Sequence, residues 1–158
     1  MNSDLVRSDF TGCIFPDCYP CQSGMKGGSH TRKGPVYEIK CVLCEDQDVE
    51  AIYTGETGYN AYHRGKEHKS DIENDNKKNA MAKHLSIHHP EKVSDPSAFQ
   101  MKVKSNFSKP LDRQVYEGVL ITNSEADFVL NSKSEFLQPS VTRITTTREV
   151  DTSRNRGL

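Results

Sequence analysis

Three stretches of the chain alternate apolar and polar residues, at least in part, which is the pattern of a β-strand with one buried face. They are residues 35–40 (PVYEIK), 49–55 (VEAIYTG) and 98–107 (AFQMKVKSNF). The first two are separated by CVLCEDQD, and they predict an antiparallel hairpin with a long connection.

Apolar residues with helical spacing follow the second and the third of these stretches. It predicts helices at about 59–73, 79–88 and 111–121. Pro90 is expected to end the second helix, because a proline disfavours the helical conformation in the residue before it. Ser108 is the expected N-cap of the third helix, with Pro110 in its first turn.

Composition divides the chain of 158 residues into three segments. Residues 1–33 are rich in Cys, Gly, Pro and Ser and lack apolar periodicity, so we expect a zinc knuckle or a linker rather than a packed core. Residues 34–140 carry the predicted strands and helices. Residues 141–158 have few large apolar side chains and are expected to form a flexible tail.

Charge and targeting signals restrict the classes of function only weakly. The net charge is −1, so charge alone does not indicate nucleic-acid binding. Four basic residues and one acidic residue lie between positions 25 and 44, as either a phosphate-binding patch or ordinary surface charge. The sequence shows no secretory signal and no membrane span, so we expect a soluble intracellular protein whose five cysteines are thiols or metal ligands.

Cys41 and Cys44 form a C-x2-C pair on the hairpin connection, with the spacing of two zinc ligands. The second predicted helix offers His84 and His88 on one face, and His89 just before the proline. A Cys2His2 zinc site is therefore predicted, with a metal-free turn as the alternative. Regular helical geometry favours His88 as the fourth ligand, whereas unwinding before the proline would bring in His89.

A second group of possible ligands lies near the N-terminus. Cys13, Cys18, Cys21 and His30 have the arrangement C-x4-C-x2-C-x8-H, which resembles a small zinc knuckle. A bound metal would stabilise this segment, which has little core of its own. The alternative is that His30, which lies among glycines, belongs to a disordered linker.

Several residue types useful for phosphodiester cleavage recur along the strands and helices. Arginine binds a phosphate bidentately, tyrosine or histidine accepts a proton from water, and a carboxylate binds Mg2+. By default a strand tyrosine is a core residue, an Arg-x3-His pair is solvated, and Gly55 and Gly58 only mark a turn. A catalytic interpretation is favoured because several of these residue types occur together: Tyr37, Tyr53, Arg64, His68 and Glu117.

In ordered combination these residues resemble the GIY-YIG endonucleases, most closely the endonuclease domain of Penelope-like and related retroelements. The two hallmark motifs appear as PVY, ending at Tyr37, and YTG, beginning at Tyr53. Arg64-x3-His68 follows the second motif, and RQVYEGVLI places Glu117 at the metal-binding glutamate of the family. The resemblance covers roughly residues 35–135 and departs from the family in Pro-Val before Tyr37 and in Thr54.

The C-x2-C between the two tyrosine strands is similar to the zinc-binding insertion of the retroelement branch. In that branch the last histidine stands at a wider spacing than i+4, which favours His89 over His88. Asn131 in VLNSKSEF lies at the usual late asparagine. The cysteine-rich segment before residue 34 is similar, more loosely, to segments that precede these domains.

The resemblance implies a small α/β fold, with a central three-stranded antiparallel sheet flanked by helices, a zinc-binding insertion and an N-terminal cysteine-rich segment. It also implies a DNA nickase in which Glu117 holds Mg2+ or Mn2+ and Tyr37, helped by His68, activates water. Arg64 and Tyr53 would position the phosphate, Asn131 would support the site, and Zn2+ would be structural.

The cleaved DNA end would prime reverse transcription, so the implied partners are DNA and a reverse transcriptase domain of the same retrotransposon, and the implied location is the nucleus. Two other functions compete with this one. The first is a zinc-stabilised DNA-binding module without catalysis. The second, a zinc hydrolase using His84 and His88, requires an open zinc position that four protein ligands would close.

Overall fold

The structure is a computed structural model that describes residue 13, residues 15–23 and residues 30–131. The predicted tail at 141–158 lies outside the described residues, as do residues 132–140 of the predicted nuclease domain. Of the cysteine-rich segment at 1–33, the structure describes fourteen residues, which include all three of its cysteines and His30.

A four-stranded sheet forms the centre of the described region. Its strands are β1 (Pro35–Cys41), β2 (Ala51–Glu56), β3 (Phe99–Asn106) and β4 (Phe128–Val129), in the order β3-β1-β2-β4. β1 pairs antiparallel with both β2 and β3, whereas β4 pairs parallel with β2. The mixed α/β fold and the three predicted strands are confirmed, but the prediction of a three-stranded sheet is wrong.

The fourth strand escaped prediction because it is only two residues long. Periodicity needs about four alternating residues before it indicates a strand. Instead, β4 is defined by its partner: the amides of Phe128 and Leu130 donate to the carbonyls of Glu50 and Ile52. This pairing brings Asn131, the next residue along, beside the middle of β2.

Three long helices and several short ones surround the sheet. The long helices lie where the sequence predicts them, within about two residues at each end. The helices are α1 (Tyr19–Gln22), α2 (Val42–Glu45), α3 (Ala61–Glu73), α4 (Ala80–His88) and α5 (Pro110–Thr122), with 3-10 turns at Pro90–Lys92 and Pro96–Ala98.

Local chemistry sets where these helices begin. Asn60 caps α3 by accepting a hydrogen bond from the amide of His63, and Asn79 caps α4. The prediction of Ser108 as the N-cap of α5 is wrong, since Lys109 occupies that position with extended φ and ψ of −98° and 129°. Pro110 takes the first helical position, where its missing N–H costs nothing and its φ is already helical.

The main core packs between the sheet and helices α3 and α4. Alternate residues of β1 point into it, because side chains of a strand point to opposite faces in turn. Each of the main core side chains is fully buried: Tyr37, Ile39, Cys41, Ile72, Met81, Leu85, Phe99 and Met101. β1 is therefore the strand on which both candidate sites described below are built.

The described part of the cysteine-rich segment packs directly on α3. A Cβ at Gly65 would lie 2.9 Å from Cδ of Pro20, which shows how closely α1 approaches the helix. The amide of Tyr62 donates to the carbonyl of His30 at 2.8 Å, and its hydroxyl donates to Asp17. These contacts cross the predicted boundary after residue 33.

Among the described residues, no helix combines the length and the apolar character that crossing a bilayer requires.

Candidate functional site

The hydroxyl of Tyr37 is the centre of the first site. Tyr37 lies on β1, is fully buried, and pairs in register with Gly55 on β2. A Cβ at Gly55 would lie 2.5 Å from both Cζ and Oη of Tyr37. Gly55 is therefore not a turn residue but a strand residue, and its lack of a side chain leaves the space that the tyrosine ring fills.

Two side chains of α3 converge on this hydroxyl. Nε2 of His68 lies 2.8 Å from Oη of Tyr37, and Nε of Arg64 donates to the same oxygen at 3.3 Å. Arg64 and His68 reach one point because residues four apart share a face of a helix. Nη1 of Arg64 also donates to Glu67 at 2.5 Å.

Burial decides the charge states of these groups. Loss of solvent raises the pKa of Tyr37, and the neighbouring Tyr53 raises it further, so the hydroxyl is protonated near neutral pH. Burial and the positive charge of Arg64 lower the pKa of His68 to about 3. The imidazole is therefore neutral over the pH range in which such a protein would work.

The other predicted site residues lie around this pair at different distances. The Tyr53 ring is 5.6 Å from the His68 ring, centroid to centroid, and lines a cavity of about 130 Å3 together with Arg64 and His68. Glu117 on α5 is partly buried, and its negative charge contributes to the raised pKa of Tyr37. The carboxylate is thus within electrostatic reach of the hydroxyl.

Asn131 does not line the small cavity but forms hydrogen bonds to the backbone of β2. Its amide nitrogen donates to the carbonyl of Thr54 at 2.7 Å, and its amide oxygen accepts from the Thr54 amide at 3.0 Å. The side chain therefore replaces a strand partner for β2 between Tyr53 and Gly55. This contact is compatible with the supporting role that the motif resemblance implies for Asn131.

Asn79 is a residue of the site that sequence reasoning missed. Its position before the helical pattern marks it as the start of α4, and its side-chain oxygen accepts from the amides of Met81 and Ala82. The structure adds that its amide nitrogen lies 3.1 Å from Nδ1 of His68. No sequence signal connects a helix cap with a histidine on another helix.

Cys41, Cys44, His84 and His89 form the second site. All four are buried, and their ligand atoms lie within 4.8 Å of one another. Sγ of Cys44 is 3.3 Å from Nε2 of His84 and 3.1 Å from Nε2 of His89. His88 stays outside the cluster, exposed on the surface, because α4 ends there and the backbone of His89 leaves helical geometry with φ of −138°.

The chemistry of this cluster fits zinc. Two thiols and two imidazoles are the ligands of a structural tetrahedral site, and roughly 3.5 Å separates sulfur from nitrogen in such a site. Burial, then the neighbouring His88 and His89, lower the pKa of His84 to about 4, so its ring is neutral as a ligand must be. Burial raises the pKa of the Cys44 thiol to about 12, so a bound cation is needed to stabilise the thiolate.

A second cluster joins Cys13, Cys18, Cys21 and His30. Nδ1 of His30 lies 3.4 Å from Sγ of Cys18 and 3.2 Å from Sγ of Cys21, and all four ligand atoms lie within 4.8 Å of one another. Both Cys/His clusters can therefore hold a zinc ion. His30 stands well after Cys21 in the sequence. Because both His30 and α1 contact α3, the histidine lies beside the cysteines.

A larger groove of about 390 Å3 continues from the first site. It shares Lys78 and Ala80 with the smaller cavity and runs between α4 and β4. Lys83 and the exposed rings of His88 and Phe128, 4.9 Å apart, line its outer part. The groove thus combines cationic side chains with aromatic surface.

Comparison with known proteins leaves the family open. No family model, no curated protein and no solved structure matches this chain. The resemblance to GIY-YIG endonucleases therefore stays a prediction, and function is inferred from the residues and contacts described above.

Replacing Gly55 by alanine is expected to disrupt the site, because the new methyl group would overlap the phenol of Tyr37. Overpacking of this kind costs about 1–3 kcal/mol, measurable as a lower free energy of unfolding in denaturant. Gly58→Ala is the matched control, since its nearest neighbour, Nη2 of Arg113, would lie 3.4 Å away in ordinary contact. Equal stability of the two variants would contradict the steric role of Gly55.

Replacing His89 by alanine is expected to remove the zinc ion of the Cys41 cluster, because three ligands hold zinc less tightly than four. Zinc content after dialysis against a competing chelator, measured by mass spectrometry, should fall from two ions to one per chain. His88→Ala should keep both. The reverse result, with zinc lost only from the His88 variant, would show that α4 stays helical to the proline.

Proposed function

We propose that this chain is a GIY-YIG type DNA endonuclease that hydrolyses one strand of its substrate. The observation that supports this most strongly is the convergence of Arg64 and His68 on the buried hydroxyl of Tyr37. A core tyrosine needs one hydrogen-bond partner, but this one has two nitrogen partners and lies within electrostatic reach of Glu117. Such a set suits the transfer of a proton beside a phosphate.

Hydrolysis places distinct demands on each residue. Arg64 and Tyr53 line the cavity and would bind the scissile phosphate, where the guanidinium offsets the negative charge that develops in the transition state. The Tyr37 phenol first releases its proton to solvent, and the two neighbouring nitrogen groups stabilise the phenolate. Water then attacks phosphorus while its proton passes to the phenolate oxygen. The bond from phosphorus to the 3′ oxygen breaks, and that oxygen takes up a proton to leave a 3′ hydroxyl.

Glu117 is the residue that would hold Mg2+ or Mn2+. Carboxylate oxygens are the ligands that these hard cations prefer, and Glu117 acts electrostatically on Tyr37 from a partly buried position on α5. When bound, the cation would polarise the phosphate and stabilise charge on the leaving oxygen. The zinc ions have structural roles in this proposal, because four protein ligands leave no position for water.

The groove beside the site fits the phosphodiester backbone of DNA. Lys78 and Lys83 are exposed, and within the described residues no carboxylate lies within 4.0 Å of either ammonium group. Lys77, by contrast, is paired with Asp75. Cationic side chains that continue from a catalytic cavity are the feature that neutralises successive phosphates.

The biological setting is proposed from the motif resemblance. A retroelement nuclease leaves a 3′ hydroxyl that primes reverse transcription, so the partners would be DNA in the nucleus and a reverse transcriptase domain of the same element. The alternative is a zinc-stabilised DNA-binding module without catalysis. The pairing of Arg64 with Glu67 favours that alternative, because it engages one nitrogen of the phosphate-binding guanidinium.

Replacing Glu117 by glutamine is expected to abolish cleavage, since the amide keeps the shape of the side chain but not its charge. Nicking of supercoiled plasmid in Mg2+ should fall by roughly 100-fold or more, the cost of removing one preorganised electrostatic interaction. Glu125→Gln, an exposed glutamate in the segment between α5 and β4, is the matched control. Zinc content and thermal stability should be the same in both variants.

The outcome also separates the two functions. A parent protein that nicks DNA, with loss only in the Glu117 variant, supports the nuclease. A parent that binds DNA but leaves the plasmid intact with Mg2+ or Mn2+ identifies the binding module. Equal cleavage by parent and Glu117→Gln would exclude the proposed role of Glu117.

Replacing both Lys78 and Lys83 by alanine is expected to weaken DNA binding and its salt dependence. Removing one lysine that neutralises a phosphate lowers the slope of log affinity against log salt by about 0.9, so the slope should fall by about 1.8. Fluorescence anisotropy with labelled duplex DNA, in the Glu117→Gln background, measures both quantities. The variant with Lys92 and Lys102 replaced has the same net charge and should keep the parental slope. An equal change in both variants would mean that the groove is not the binding path.

A further inference from the structure

We propose that Asn79 is a positioning residue that fixes the tautomer of His68, so that His68 donates a hydrogen bond to Tyr37 instead of accepting one. This assignment concerns the ring protons alone, and only its catalytic consequence rests on the proposed nuclease function. It specifies how His68 helps Tyr37, which the motif resemblance leaves open.

The orientation of the Asn79 amide is determined by the start of α4. Its Oδ1 accepts from the amides of Met81 at 3.0 Å and Ala82 at 3.2 Å. Exchanging the oxygen and nitrogen would aim an NH2 group at two backbone N–H donors, which is unfavourable. Nδ2 of Asn79 must therefore face the opposite way, where it lies 3.1 Å from Nδ1 of His68 and 3.4 Å from Oδ2 of Asp71.

This orientation determines where the proton of His68 resides. A neutral imidazole has one N–H donor and one acceptor nitrogen. Because Asn79 donates to Nδ1, that nitrogen is the acceptor and the proton lies on Nε2. Nε2 is the atom 2.8 Å from Oη of Tyr37, so His68 donates to the tyrosine oxygen. The low pKa of about 3 keeps the ring in this neutral form.

The Tyr37 oxygen consequently accepts two hydrogen bonds, one from His68 and one from Nε of Arg64 at 3.3 Å. Both donors favour the negatively charged form of that oxygen over the protonated form. His68 has no lone pair facing Tyr37 with which to take its proton. Within the proposed nuclease, His68 therefore orients and stabilises the phenolate that forms when Tyr37 loses its proton to solvent, and that phenolate accepts the proton of the attacking water.

Asn79→Asp tests the assignment with almost no change in shape. A carboxylate still caps α4, because either oxygen accepts from Met81 and Ala82. The other oxygen now faces Nδ1 of His68 and requires a proton there. The proton of the ring should move from Nε2 to Nδ1, leaving Nε2 to accept from Tyr37.

Nitrogen and proton NMR of histidine-labelled protein distinguishes the two tautomers directly, with His68→Gln used to assign the signals among the six histidines. The parent should show a protonated Nε2 and an unprotonated Nδ1. The Asp variant should show a protonated Nδ1, either as the other neutral tautomer or as an imidazolium. A parent ring with its proton on Nδ1 would overturn the assignment, as would an Asp variant whose new carboxylate is ionised while Nδ1 stays unprotonated.

Asn79→Ser separates tautomer control from capping. Serine is an equally good helix cap, but its shorter side chain does not reach His68. We expect α4, zinc content and thermal stability to be preserved while the ring becomes a mixture of tautomers. A Ser variant that keeps the single Nε2–H form would show that Asn79 does not hold it.

The kinetic consequence is a loss in kcat with little change in KM for plasmid. A wrongly protonated histidine costs roughly 100-fold or more in comparable sites. A parental kcat in an Asp variant whose NMR shows the altered ring would refute the catalytic consequence. If the parent cleaves no DNA at all, the nuclease proposal fails, yet the NMR result still decides the tautomer.

Discussion

The first site depends on one hydrogen bond, between the Tyr37 hydroxyl on β1 and the imidazole of His68 on α3. It crosses the interface between the sheet and the helix that packs on it, and both partners are buried, so its loss would leave Nε2 of His68 without a hydrogen-bond partner in the protein interior. The space for it exists because Gly55 lacks a side chain. Its direction follows from Asn79, which itself is held by the first turn of α4.

The Cys41 cluster and the Tyr37 site share two elements of the fold, β1 and α4. Cys41 follows Tyr37 by four residues on the same strand, and both side chains enter the same core. α4 carries Asn79 at its start and His84 within its length, with His89 immediately after its end. A metal at the cluster would therefore fix the helix whose first turn orients His68. In this arrangement, structural zinc would contribute to the geometry of a site it does not touch.

The sequence predicted the parts of the fold that local pattern encodes. Three strands, three long helices and the two groups of Cys and His ligands followed from alternation, helical spacing and C-x2-C pairs. Regular helical geometry favoured His88 as the fourth ligand, and the motif resemblance favoured His89, which is the histidine that the structure places in the cluster. Local pattern alone could not determine how the chain leaves α4 before the proline.

Contacts between distant parts of the chain could not be predicted. Asn131 forms hydrogen bonds with Thr54 across a separation of 77 residues. The neighbouring strand β4 is defined only by its pairing with β2. Gly55 resembles a turn residue until its register partner, Tyr37, is known. Asn79 carries the signal of a helix cap, but its second role requires the relative placement of α3 and α4, which tertiary packing decides.

Cleavage of DNA in water enriched in the heavy oxygen isotope tests the central claim most directly. If water attacks phosphorus directly, as proposed, mass spectrometry of the products will find the label in the new 5′ phosphate and a free 3′ hydroxyl beside it. Products without the label, or a covalent link between DNA and Tyr37, would mean that the protein and not water attacks phosphorus. Either result would contradict the account given for this site.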